Sequence, residues 1–184
     1  MEFARQLPPP KIDRKVRVFC ERISPGITPS YVPVRTDLGS KLWECFGNVE
    51  ERVKRHGGEI VYGWEISELP RIALEARFHA VWLATNGALL DITPEEFSQP
   101  QILFLRDAVR KYAGTRVENQ RFPLGDKNLV DEYFALADAT SERLRAMSMS
   151  GFKRGHPVLR QELGPSFLRM QQLKQRIQNG DRRS

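Results

Sequence analysis

Between Ile72 and Ala84 the side chains alternate in character with a period of two, and just beyond the run stands an Asn86-Gly87 pair. A period of two is that of a β-strand, and Asn-Gly is the strongest short signal for a hairpin turn. Leu74, Ala76, Phe78, Ala80 and Trp82 fall on one face of this strand. Glu75, Arg77 and His79 fall on the other, joined further along by Val81 and Leu83. The return strand is predicted from Ala88 to Ile92. Residues Glu59 to Ile66, rich in β-formers and set off by Pro70, predict a strand before it, and Gln101 to Leu105 predicts one after. The chain is therefore built around a central antiparallel sheet.

Helices are predicted on either side. After Ser40, a suitable N-cap, Leu42, Cys45, Phe46, Val49 and Val53 follow the i, i+3, i+4, i+7, i+11 spacing of a buried helix face. Arg52, Lys54 and Arg55 suit the negative end of its dipole, and Gly57-Gly58 closes it. Upstream, Leu7 to Pro10 is extended because each proline removes a donor and restrains its predecessor. Val16, Val18 and Cys20 alternate with charged neighbours, which predicts a short strand over Lys15 to Ile23, and Pro25, Gly26, Pro29 and Pro33 mark a loop. Asp126 to Met147 is predicted as a helix with Leu129, Val130, Tyr133 and Phe134 inward, broken by Gly151, Gly155 and Pro157. A last amphipathic helix lies within Glu162 to Gln178, through Leu163, Phe167, Leu168, Leu173 and Ile177. The expected class is α+β: a helix carrying Cys45 packed on the sheet, followed by C-terminal helices.

Composition narrows the function classes. With 184 residues, 40% apolar and 28% charged, the chain has the balance of a globular protein that needs no disulfide or metal to fold. No stretch approaches the roughly 18–20 apolar residues of a membrane span. The start lacks a signal peptide's apolar core, so a cytoplasmic address is expected. The two cysteines have no CxxC spacing, so neither a disulfide scaffold nor a structural zinc site is expected. The net charge of +6 is unevenly placed: residues 141–184 hold ten Lys or Arg against Glu142, Glu162 and Asp181, which leaves the rest at −1. This divides the chain into a core, 1–140, and a basic helical arm, 141–184. The arm is either the solvated face of a helix or a contact for nucleic acid or an acidic partner.

Candidate chemistry is sparse. There is no phosphate loop, no GxGxxG, no HExxH and no GxSxG. What stands out is Cys45 early in a helix, then His79 on a strand, then Asp91 on the next strand across the hairpin. A thiolate is favoured by a helix N-terminus and an imidazolium. An imidazole can carry the proton of acyl transfer, and a carboxylate on its other nitrogen holds the tautomer. Asn48, one turn after Cys45, is a candidate supporting partner, and Trp43, Trp64 and Trp82 are candidates to line a cleft. The plainer alternatives stay open: Cys45 as a small core residue, His79 as a hydrogen-bonded strand residue, Asp91 as a turn residue, the tryptophans as core. A metal held by Cys45, His79 and Asp91 lacks a helpful spacing. His56 suits its helix C-terminus, and His156 precedes Pro157 in a loop.

The hairpin supplies a geometric condition. A two-residue Asn86-Gly87 loop would set Asp91 opposite Trp82, on the face away from His79. A three-residue loop, Thr85 to Gly87 with Gly87 left-handed, would set Asp91 opposite Val81 and diagonal to His79.

The segment Phe78-His79-Ala80-Val81-Trp82, then Asn86-Gly87, then Leu90-Asp91-Ile92-Thr93-Pro94 resembles the core of the transglutaminase-like cysteine enzymes, which share a papain-like fold. The resemblance spans Cys45 to Pro94. It implies Cys45 as nucleophile, His79 as base and Asp91 as orienting acid, with no cofactor and with a protein or peptide substrate. The activity implied is hydrolysis or acyl transfer at an amide or thioester. A non-catalytic binding module of the same fold, using the basic arm, is the rival reading.

Overall fold

The computed structural model describes residues 6–95, 99–149 and 157–180, with the side chains of residues 145, 147–149 and 157–162 left aside. The elements run α1 (Arg14–Ile23), β1 (Ser30–Pro33), α2 (Cys45–His56), β2 (Glu59–Leu69), β3 (Ala73–Leu83), β4 (Leu89–Leu90), β5 (Gln101–Arg106), β6 (Gln120–Pro123), α3 (Lys127–Met149) and α4 (Pro157–Asn179). The class is α+β. The chain divides into two compact units: one of residues 6–69 and 74–122, the other of residues 1–5, 70–73 and 123–184.

The first unit holds the sheet, in the order β1-β5-β2-β3-β4, with β6 also pairing with β3. The pairs of β5 with β1 and β2, and of β3 with β4, are antiparallel. The two ends of this order then meet. Asp91, just after β4, bridges to Val34, just after β1, in parallel. Pro33 O accepts from Asp91 N at 3.0 Å and Asp91 O from Arg35 N at 2.7 Å. The sheet is thus nearly a barrel, and closure satisfies edge groups that would otherwise be left open.

Alternation along β3 sorts its residues between two apolar clusters. Val81 joins Val32, Val61, Ile102 and Phe104 on one face. Ala80 and Trp82 join Val49 and Ile92 on the other, with Phe46 and Val53 of α2 packed alongside. His79 shares the Val81 face. Gly63 on β2 leaves room on this face for the Phe104 ring, which would lie 2.5 Å from a Cβ placed there.

Two short segments depart from expectation. Residues 14–23 are helical, not a strand. Val16, Phe19 and Cys20 are buried, the Asp13 side chain accepts from Val16 N at 3.0 Å, and Ser24 N bonds Cys20 O. The helical spacing and the cap outweigh the alternation of Val16, Val18 and Cys20. Ser30–Pro33, expected as loop, pairs with β5, with prolines only at its margins where no ladder donor is needed. Helix α2 starts at Cys45 rather than after Ser40, which leaves Leu42 exposed.

In the second unit Asp126 caps α3, its Oδ1 accepting from Asn128 N and Leu129 N. Leu129, Val130, Tyr133 and Phe134 of α3 and Leu163, Met170, Leu173 and Ile177 of α4 are buried, whereas Leu168 is exposed. Arg169 Nε donates to Glu132 Oε1 at 3.0 Å. Gly151, Gly155 and His156 lie outside the described residues, and Pro157 opens α4. Among the described residues no helix is long and apolar enough to cross a membrane.

Candidate active site

The hairpin between β3 and β4 has the three-residue loop. Trp82 pairs with Leu90 and Leu83 with Leu89. Ala84 N bonds Ala88 O at 2.8 Å, Gly87 N bonds Ala84 O, and Gly87 sits at φ 83°. Continuing that register sets Asp91 opposite Val81, on the face His79 occupies. His79 Nε2 stands 3.3 Å from Asp91 Oδ2. The two are only 3% and 1% exposed. Their approach is close enough for an ion pair but too poorly directed for a hydrogen bond, and Nε2 has no hydrogen-bond partner among the described residues. The other carboxylate oxygen, Oδ1, accepts from Thr93 N at 3.0 Å, which fixes the carboxylate against its own strand.

Burial works against charge on the His79 imidazole, but the Asp91 carboxylate and then the Cys45 thiol favour it more, and its pKa is raised well above 6.5. Cys45 is the first residue of α2 and 7% exposed. The N-cap, Glu44, makes no side-chain capping bond, so α2 presents Cys45 at an uncapped positive end. Two residues earlier Trp43 holds φ 61°, a left-handed backbone for a bulky residue. Its N bonds Pro94 O at 3.4 Å.

Asn48 ties these pieces together. Its Oδ1 accepts from Lys41 N and its Nδ2 donates to Lys41 O, each at 2.8 Å, with Thr93 Oγ1 at 3.5 Å from Nδ2. One buried amide thus pins the loop that leads into Cys45 and reaches the residue that orients Asp91. Of the tryptophans, Trp43 is half-exposed next to the helix start. Trp64 is core, with Nε1 on Asp107 Oδ2 at 3.1 Å and its ring edge-on to Phe78. Trp82 is core on the face opposite His79, with Nε1 on Gly57 O at 3.0 Å and the Arg52 guanidinium over its ring at 4.5 Å.

A charged group that sequence reasoning passed over adjoins the histidine. Arg77, two residues before His79 on the same face, pairs with Glu65 Oε2 at 2.5 Å and with Glu95. Burial and the charge of Glu65 hold the Glu95 carboxyl above its ordinary range, against the opposite pull of Arg77 and His79. The alternation of β3 placed Arg77 beside His79. Nothing local marked Glu95, which arrives from the loop after β4. Among the described residues no cluster suits a metal ion. No family model, curated protein or solved structure matches this chain.

Proposed function

We propose that the protein is a cysteine-dependent hydrolase or acyl transferase acting on an amide or thioester, with Cys45 as nucleophile, His79 as general base and acid, and Asp91 as orienting carboxylate. The observation that carries this reading is the burial of one histidine against both a carboxylate and a thiol that heads a helix. The seating of α2 on the sheet, which the reading needs, is supported by the cluster of Val49 with Ala80, Trp82 and Ile92.

With Nε2 turned to Asp91, Nδ1 is the nitrogen left for the thiol. It already holds the proton given up by Cys45, so the Sγ thiolate of the pair attacks the carbonyl carbon and the carbonyl π electrons move onto oxygen. The uncapped first-turn N–H groups of α2 offer donors to that oxyanion. Collapse of the adduct breaks the bond to the leaving group, which departs with the proton from His79 and leaves an acyl-Cys45 thioester. Water or an amine then attacks the thioester, gives its proton to His79, and releases the Cys45 thiolate, which restores the starting pair. Asp91 keeps the imidazole in the required tautomer and supports its charge. Asp91 and His79 are brought within reach by the three-residue loop, and the long, misaligned contact between them is one that substrate binding can tighten.

The test is the pH dependence of iodoacetamide modification, resolved by mass spectrometry. Cys45 is expected to react quickly near pH 6, and His79→Ala to abolish that fast reaction. Burial pushes the Cys20 thiol up to about 12, so Cys20 serves as an inert internal control. If Cys45 reacts only above about pH 8, unchanged in His79→Ala, the enzyme reading fails. The basic arm would then be tested as a contact for nucleic acid through the salt dependence of binding.

A further inference from the structure

Next to Asp91 a cleft of about 250 Å³ opens between the end of β4 and the segment after β1. Its polar lining consists of Thr36, Asp91, Thr93, Glu95 and Gln99, with no basic side chain among the lining residues. Gln99 Oε1 is out of contact with solvent and has no hydrogen-bond partner among the described residues. Glu95 of the lining and Glu65 outside it share the guanidinium of Arg77, while Asp91 is balanced by His79. The group therefore carries one carboxylate more than its cations can neutralise. Burial, and after it the charge of Glu65, holds the Glu95 carboxyl above its ordinary range. Val34 and Ile102 give the same cleft an apolar wall.

A ligand that fits must bring hydrogen-bond donors, a positive charge and a short apolar stem. A primary ammonium has three donors and no acceptor, matching the carboxylates, the free amide oxygen and the hydroxyls. The volume is below that of an ordinary drug-sized pocket, so it suits one side chain rather than a folded segment or a nucleotide. We infer that this cleft binds an alkylammonium group, and that the substrate of the adjacent Cys45–His79–Asp91 site carries a lysine-like side chain there. The substrate part of the inference rests on the proposed function; the binding part does not.

The experiment is a titration of the ¹⁵N-labelled full chain at pH 7 and constant ionic strength with n-pentylammonium, compared with pentanoate and 1-pentanol. Saturable shifts are expected at the amides of Thr36, Thr93, Glu95 and Gln99 with the ammonium, and none with the other two. Glu95→Gln should weaken binding about tenfold, the loss expected of one charge-assisted contact. Thr36→Val, which leaves the charges untouched, should weaken it by a smaller factor and decides the matter if Glu95→Gln does not fold. Equal binding of pentanol or pentanoate, absence of saturation, or unchanged affinity in a folded Glu95→Gln would overturn the pocket. Iodoacetamide reactivity of Cys45, measured on the same sample, separates the two ideas. A reactive Cys45 without ammonium binding removes only the pocket. Ammonium binding with an inert Cys45 supports the pocket and overturns its role as a substrate site.

Discussion

Asn48 illustrates how a single buried side chain serves position rather than chemistry. Its amide replaces backbone partners that Lys41 would otherwise lack, in a loop that must deliver Cys45 to the start of α2. Truncation to Ala leaves those groups without their partner and is expected to cost about 1–3 kcal/mol in urea unfolding. It should also slow iodoacetamide at Cys45, because the loop loses its tether to the Asp91 strand. Asn48→Asp keeps the acceptor for Lys41 N but loses both donated bonds, and should fall between Ala and wild type in reactivity. At Gly63 the constraint is steric. A Cβ there would lie 2.3 Å from Leu105 O and 2.5 Å from the Phe104 ring. The backbone oxygen belongs to a paired strand and cannot retreat, so Gly63→Ala is expected to destabilise by roughly 1–3 kcal/mol, read as a lower urea midpoint with unchanged slope.

At the scale of elements, the β3–β4 hairpin decides whether a site exists. Because side chains alternate, a shift of one residue moves Asp91 to the other face. Deleting Thr85 turns the loop into a two-residue Asn-Gly turn while Ala84 still faces Ala88, so the Val81–Asp91 register survives. That variant should keep fast Cys45 alkylation and the raised His79 titration, followed by NMR of the imidazole. Deleting Ala88 keeps that register only through a four-residue loop of 84–87. The shorter loops lose it, a three-residue loop setting Asp91 opposite Trp82 and a two-residue loop setting it opposite Leu83, four residues from His79, and with either of these the site is broken. His79 should then titrate nearer its ordinary value, and fast alkylation should disappear. The two loops were distinguishable in the sequence as alternatives, and the left-handed Gly87 favours the one found. Elements whose identity depends on distant partners were less legible. Residues 14–23 satisfy both a period of two and the spacing Val16, Phe19, Cys20, Ile23, and only the Asp13 cap separates them. Strand β1 lies among prolines and is defined by pairing with β5, some 70 residues away, which no local pattern records. Glu95 was invisible for the same reason: its partners Arg77 and Glu65 come from other strands.

For the whole molecule, the buried ionisable groups set how stability depends on pH. His79 is raised above 6.5 when folded. Between that value and its folded pKa, the native state holds a proton that the unfolded chain has released. The number of protons bound is therefore larger in the native state, and unfolding free energy falls as pH rises. The contribution is complete below about pH 6.5 and is lost as pH climbs through the folded pKa. Cys20 acts with the same sign at higher pH. Its unfolded thiol ionises near 9.0, whereas burial holds the folded thiol protonated to about 12, so its stabilisation also drains away across that interval. In Cys45→Ser, where no thiol can supply the His79 proton, urea unfolding from pH 6 to 10 should accordingly show a decline in two stages. In that background His79→Gln should remove the first stage and leave the second, and Cys20→Ala should do the reverse at some cost in packing. A Cys45→Ser profile in which stability rises between pH 6.5 and 8, or in which His79→Gln leaves the slope unchanged there, would mean that the folded imidazole is neutral. In the chain with Cys45 intact, a thiolate–imidazolium pair holds as many protons as the unfolded thiol and neutral imidazole, so fast alkylation near pH 6 and a flat first stage must appear together.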